Sequence, residues 1–162
     1  MADAIWPWLR NWHSKFYSYG DGDPKNIASA IKQKIKLLDG LRDRTIDTLS
    51  PADDPIIRGL FWSFTIATGR TNKKGVQGTP VGAAKVLHSL SPSFLPLWDD
   101  SISDYYDCER DGEGFGYTKF CRIAKQPAKV VEPYVNKPDD QTVLKRIDEF
   151  LYAKLQQRVA GI

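Results

Sequence analysis

Cysteine, histidine and methionine are scarce: the 162 residues hold two Cys, two His and one Met. Cys108 and Cys121 alone cannot build a disulfide scaffold, and two thiols fit a reducing compartment. With His13 and His88 they give no zinc spacing, and there is no Cys-x-x-Cys pair for an iron–sulfur cluster. Asp107-Cys108-Glu109-Arg110-Asp111-Gly112 imitates the opening of a calcium loop, but Thr118 stands where a bidentate glutamate is required. The sequence therefore calls for no metal and no cofactor. It also lacks a Gly-x-Gly-x-x-Gly turn and a Gly-x-x-x-x-Gly-Lys-[Ser/Thr] loop, which removes the common nucleotide-binding classes. No apolar run approaches the roughly 18 residues of a membrane span, and no secretory leader opens the chain, so a cytoplasmic protein is expected.

What remains is the composition of an ordinary globular chain, 41% hydrophobic and 27% charged. Aromatic residues make up 12%, and such side chains seek burial, which argues against disorder. The length suits one domain with a sizeable core. A net charge of +3 tilts weakly towards an anionic partner and decides nothing by itself.

Helical spacing runs through most of the chain. Ile5, Leu9, Trp12 and Phe16 form the apolar stripe of a helix over residues 4–17 that stops at Gly20-Asp21-Gly22. Asp23 and Pro24 cap and start a second helix carrying Ile27, Ile31, Ile35 and Leu38, with Lys25, Lys32 and Lys36 on its solvated side. Residues 53–69 are apolar on nearly every side between an acidic cap and a glycine stop, as expected of a central helix. A polar loop over 70–78, with Arg70, Lys73 and Lys74 beside glycines, leads to Thr79 and Pro80, which open a helix over 80–90. The connection from Ser91 to Trp98 is too apolar to leave in water. Asp99 or Asp100 then caps a short helix to Tyr106, residues 107–116 read as a loop, and 117–125 resume as helix. Prolines at 127, 133 and 138 divide the stretch before a last helix, which Asp139 and Asp140 introduce and in which Val143, Leu144, Ile147, Leu151 and Leu155 form the buried face. No strand pattern and no repeat is found. A single all-α domain of six or seven helices over 1–162 is the expected fold.

Chemistry concentrates between Gly78 and Ile102. Lys85, His88 and Ser89 lie three and four residues apart on one stripe of an otherwise apolar helix, with Gly82 one turn earlier. A partly desolvated lysine has a depressed pKa and serves as an amine nucleophile. The alternative is a polar seam, with Lys85 snorkelling to the surface and His88 hydrogen-bonded in place. Asp99 and Asp100 read equally well as a helix cap and as ionised carboxylates able to stabilise a developing cation.

This order, a glycine, a lysine-bearing helix, an apolar proline-containing connection and Asp99-Asp100-Ser101-Ile102, resembles the heart of the helix-hairpin-helix DNA glycosylase superfamily. The resemblance implies a DNA-glycosylase-like fold and a role in DNA repair on damaged or abasic duplex. Val81-Gly82 would end the hairpin, Lys85 would be the Schiff-base lysine and Asp99 the catalytic carboxylate. Lys73, Lys74 and Gly82 would contact DNA, and His88, Trp98, Asp100 and Tyr105 would line a base pocket. The competing expectation is a non-catalytic helical binding module built from the same residues.

Overall fold

The computed structural model describes residues 2–73, 75–131 and 141–159. Lys74 and the stretch 132–140, with Pro133, Pro138, Asp139 and Asp140, lie outside the described residues. Eight α-helices and one two-stranded sheet are found among those described.

The first helical stripe divides in two. α1 spans Ala2–Trp12 and α2 spans Ser14–Tyr17, with His13 between them at φ −119° and ψ 36°. The break turns Trp12 outward, so it is 44% exposed although its spacing had placed it on the buried stripe. α3 spans Pro24–Arg42; Asp23 caps it by accepting from the Lys25 amide at 2.8 Å. Two 3-10 turns, Ile46–Thr48 and Pro51–Asp53, lead into α4, Asp54–Ala67. α4 is the central element: Ile57, Leu60, Phe61 and Phe64 are wholly buried.

The loop expected over 70–78 is instead an antiparallel hairpin, β1 (Arg70–Asn72) and β2 (Gly75–Gln77), in the register Thr71 opposite Val76. Its three-residue strands are too short to show a period of two, and tertiary bonds hold it. The Thr71 amide donates to Asp21 O at 2.9 Å, and the Arg70 guanidinium bonds Phe16 O and Gln77 Oε1.

α5 spans Pro80–Leu90 and makes its most extensive packing with α4. The connection after it is buried as its composition requires: Phe94, Leu95 and Trp98 are at most 1% exposed. Two of its polar groups are satisfied from outside: Ser91 Oγ donates to Leu41 O at 2.8 Å and Ser93 O accepts from the Ile46 amide at 2.9 Å. α6 spans Asp100–Tyr105. α7 spans Phe115–Val131 and runs past the expected end at 125, through Pro127, because Ala124 and Ala128 still face the core. α8 spans Val143–Val159, with Leu144, Ile147 and Leu151 buried.

One apolar cluster draws residues from α1 to α8. Phe61 and Tyr117 stack at 4.5 Å, and Trp98 packs against both rings at 5.7 Å. No described helix is long and apolar enough to cross a membrane.

Candidate functional site

Lys85 lies in the second turn of α5 and is 7% exposed. Its helix starts where Thr79 accepts from the Gly82 amide at 3.1 Å, so the lysine's place is set by cap chemistry one turn upstream. The ammonium donates to Trp12 O, at the end of α1, at 3.2 Å, and lies 4.3 Å from the centroid of the Trp12 ring. Burial holds the amine's pKa below the ordinary lysine value, while the negative charges of Asp99, Asp100 and Asp148 act in the opposite sense. Lys85 and the aspartate pair thus share one electrostatic neighbourhood, and α8 adds a third carboxylate to it.

Asp99 caps α6: its Oδ1 accepts from the Ile102 amide at 2.9 Å, and the residue is half-buried. Asp100 is exposed, with Arg110 Nε 3.5 Å from its carboxylate. His88 sits one turn beyond Lys85, its Nδ1 2.8 Å from Leu95 O. A carbonyl only accepts, so Nδ1 carries the hydrogen. Burial lowers the ring's pKa, which leaves the lone pair of the neutral ring on Nε2. Asp148 and Lys145, themselves paired at 3.1 Å, face this histidine from α8.

Four other expected site residues have different surroundings. Trp98 is 1% exposed, between Phe61 and Tyr117, so it belongs to the core; its indole N–H finds no partner among the described residues. Gly82 lies inside the first turn of α5 rather than at a hairpin end, and its amide is occupied by Thr79. A Cβ there would meet Thr79 Cγ2 at 2.5 Å, so the glycine serves close packing. Tyr105, half-buried, packs edge-on to Tyr106 at 4.7 Å, with the Lys154 ammonium 5.5 Å from its ring. Lys73 is exposed at the hairpin turn, which is fastened to residues 16–21.

Spacing within the sequence did not reveal His13, Trp12 or Asp148. His13 Nε2 lies 3.0 Å from Thr79 Oγ1, which ties the α1–α2 break to the cap of α5. Desolvation, reinforced by the Lys85 charge and opposed by Asp100, lowers its pKa to about 4, so the ring is neutral at physiological pH. All three come from segments remote in sequence from α5, and only the folded chain brings them near Lys85. Among the described residues no group of three or more His, Cys, Asp or Glu could hold a metal ion.

No protein-family model, no curated protein and no solved structure matches this chain. Its function must be read from the site.

Proposed function

We propose that the protein is a DNA-binding enzyme resembling the helix-hairpin-helix base-excision glycosylases, acting on damaged or abasic DNA with Lys85 as nucleophile and Asp99 as its electrostatic partner. The supporting observation is the buried Lys85 amine, its pKa lowered by desolvation, in the field of Asp99, Asp100 and Asp148. A lowered pKa enlarges the fraction of free amine near neutrality, which nucleophilic attack requires.

On an abasic sugar in its aldehyde form, the amine lone pair forms a bond to C1′ and the former carbonyl oxygen leaves as water, giving a protonated imine. Loss of a C2′ proton then breaks the C3′–O bond. On a damaged nucleotide the same lone pair would displace the base from C1′, the base leaving with the electrons of the glycosidic bond. Asp99 would stabilise the positive charge that builds on the sugar. For attack the ammonium must give up a proton and its bond to Trp12 O, a charge-assisted contact worth about 1.5–3 kcal/mol. That cost is modest beside the binding energy of a nucleic acid.

A second reading has its own observation: the ammonium is already satisfied by the Trp12 carbonyl and ring, and Asp99 by the Ile102 amide. In that case the residues are a polar seam and a cap in a non-catalytic module. Borohydride trapping separates the two, because hydride converts an imine into a stable secondary amine. Wild type on an abasic duplex should give a covalent adduct that is lost in Lys85→Gln. It should be strongly reduced in Asp99→Asn, where asparagine keeps the helix cap. Absence of any wild-type adduct or base release leaves the non-catalytic module.

A further inference from the structure

The Trp12 side chain that covers Lys85 is the end of a longer aromatic surface. The Trp8 and Trp12 rings pack edge-to-face with centroids 4.6 Å apart, and the two residues are 38% and 44% exposed. Trp8 in turn borders an open groove of about 660 Å³, formed with Ile5, Leu90 and Pro92 on its apolar side and Arg42 and Ser89 on its polar side. Because Trp12 meets Lys85 while Ile5 and Trp8 meet Leu90 and Pro92, α1 runs counter to α5. The groove therefore lies beyond Ser89, one turn along the same stripe from Lys85. Trp12, packed on Trp8 and lying over Lys85, links the groove to the amine, although neither Trp12 nor Lys85 lines the groove itself.

We propose that this groove is a nucleobase subsite that stacks an unpaired base of a DNA strand on Trp8 while the neighbouring sugar is presented to Lys85. The second half of that statement rests on the function proposed above. Four features favour a base over a peptide or a second copy of the chain. Its volume lies within the roughly 300–1,000 Å³ typical of small-molecule sites. An indole with an exposed face is a stacking platform indifferent to base identity. The polar groups on the groove are a guanidinium and a hydroxyl; the Ser89 hydroxyl donates to Val86 O and one Arg42 nitrogen pairs with Asp39 at 3.1 Å, and the guanidinium has further N–H donors that suit phosphate and base-edge acceptors. Finally, the Trp8–Trp12 ring pair connects the groove to Lys85, a buried amine in the field of three carboxylates. The aromatic surface expected of Trp98 is thereby supplied from α1.

The test is fluorescence anisotropy with a labelled single-stranded oligonucleotide and a fully paired duplex of the same sequence, on wild type, Trp8→Ala and Trp8→Phe. Trp8 is surface-lying, so the variants should fold, and circular dichroism checks this. A stacked base contributes about 1–3 kcal/mol, so Trp8→Ala should weaken single-strand binding by about tenfold or more. Trp8→Phe should recover most of it, and duplex binding should change less than about twofold. Equal single-strand affinity in wild type and Trp8→Ala overturns the subsite. So does a wild-type dimer in sedimentation velocity that Trp8→Ala dissociates without any oligonucleotide being bound. Borohydride trapping on the same proteins reports separately on Lys85: Trp8-dependent binding without an adduct keeps the groove and removes the enzyme, whereas an adduct with Trp8-independent binding does the reverse.

Discussion

Asp53 offers a perturbation whose size follows from the structure. Its carboxylate takes two bonds from the Arg44 guanidinium, Nη1 to Oδ1 at 2.6 Å and Nη2 to Oδ2 at 2.9 Å. The Ser50 amide and hydroxyl add bonds at 2.7 and 2.9 Å. The side chain is 7% exposed. The Arg44 bonds, with the Ser50 contacts behind them, hold its pKa at about 2 against an ordinary 3.8. A carboxyl depressed in the folded state stabilises it above the unfolded pKa and loses that contribution as pH falls through the folded one; here the contribution is about 2 kcal/mol at neutral pH, about half of that at pH 3 and a few tenths at pH 2. Asn is close in shape to a protonated Asp, so Asp53→Asn should cost about 2 kcal/mol at pH 7. For a chain of this size that is roughly 4–8 °C in Tm. Urea unfolding of both proteins from pH 7 down to 3 is the assay. A difference that stays constant with pH, or that is below about 0.5 kcal/mol at pH 7, would refute the assignment. The pair also bears on the site, because Arg44 lies 4.3 Å over Phe94, in the connection that delivers Asp99.

Lys85→Met should raise stability at pH 7 if the amine's burial costs more than its contacts to Trp12 return, as expected of a residue kept for chemistry. Because the folded pKa lies below 10.5, the unfolded state binds the proton better, so wild-type stability rises with pH and the variant's advantage should shrink between pH 7 and 10. Thermal melts at both pH values decide it, and a destabilised Lys85→Met would instead favour the polar seam. Gly116→Ala should destabilise by roughly 2–3 kcal/mol or more, although alanine is the better helix former by about 1 kcal/mol. A Cβ there would meet Glu109 O at 1.8 Å, and that contact is backbone, which cannot swing aside. A stable Gly116→Ala protein would refute this packing of the 107–114 loop on α7.

Where one residue reports on its own neighbours, the sequence was readable. Asp23 and Thr79 cap the helices their spacing implied, and of the alternatives Asp99 and Asp100 it is Asp99 that caps α6, because a cap is a bond between residues two or three apart; Asp53, read as the acidic cap of α4, instead gives its carboxylate to Arg44 and Ser50. The buried connection from Ser91 to Trp98 follows equally from composition. The hairpin of β1 and β2 and the break at His13 were not readable, since bonds to residues 16–21 and to Thr79 fix them, more than 45 positions away in sequence. The same reasoning divides the site. Lys85 and Asp99 stand out locally as polar groups in apolar surroundings. Trp12, which its spacing placed on the buried stripe, is turned outward by the break at His13, whereas Trp98 lies in the core with the rest of its connection.

The position of Trp12 makes Lys85 informative whichever way the chemistry falls. Cover by the N-terminal aromatic helix is what a polar seam predicts, whereas an active-site lysine would open onto a groove shared with Asp99. Here the charge is instead held beneath an indole, against a backbone carbonyl and within the field of three carboxylates. The carbonyl, the ring and the three carboxylates favour the protonated form, and burial favours the free amine. Under the proposed function, a ligand that displaces Trp12 would remove the carbonyl and ring contacts, while exclusion of water would strengthen both the burial effect and the opposing field of the carboxylates.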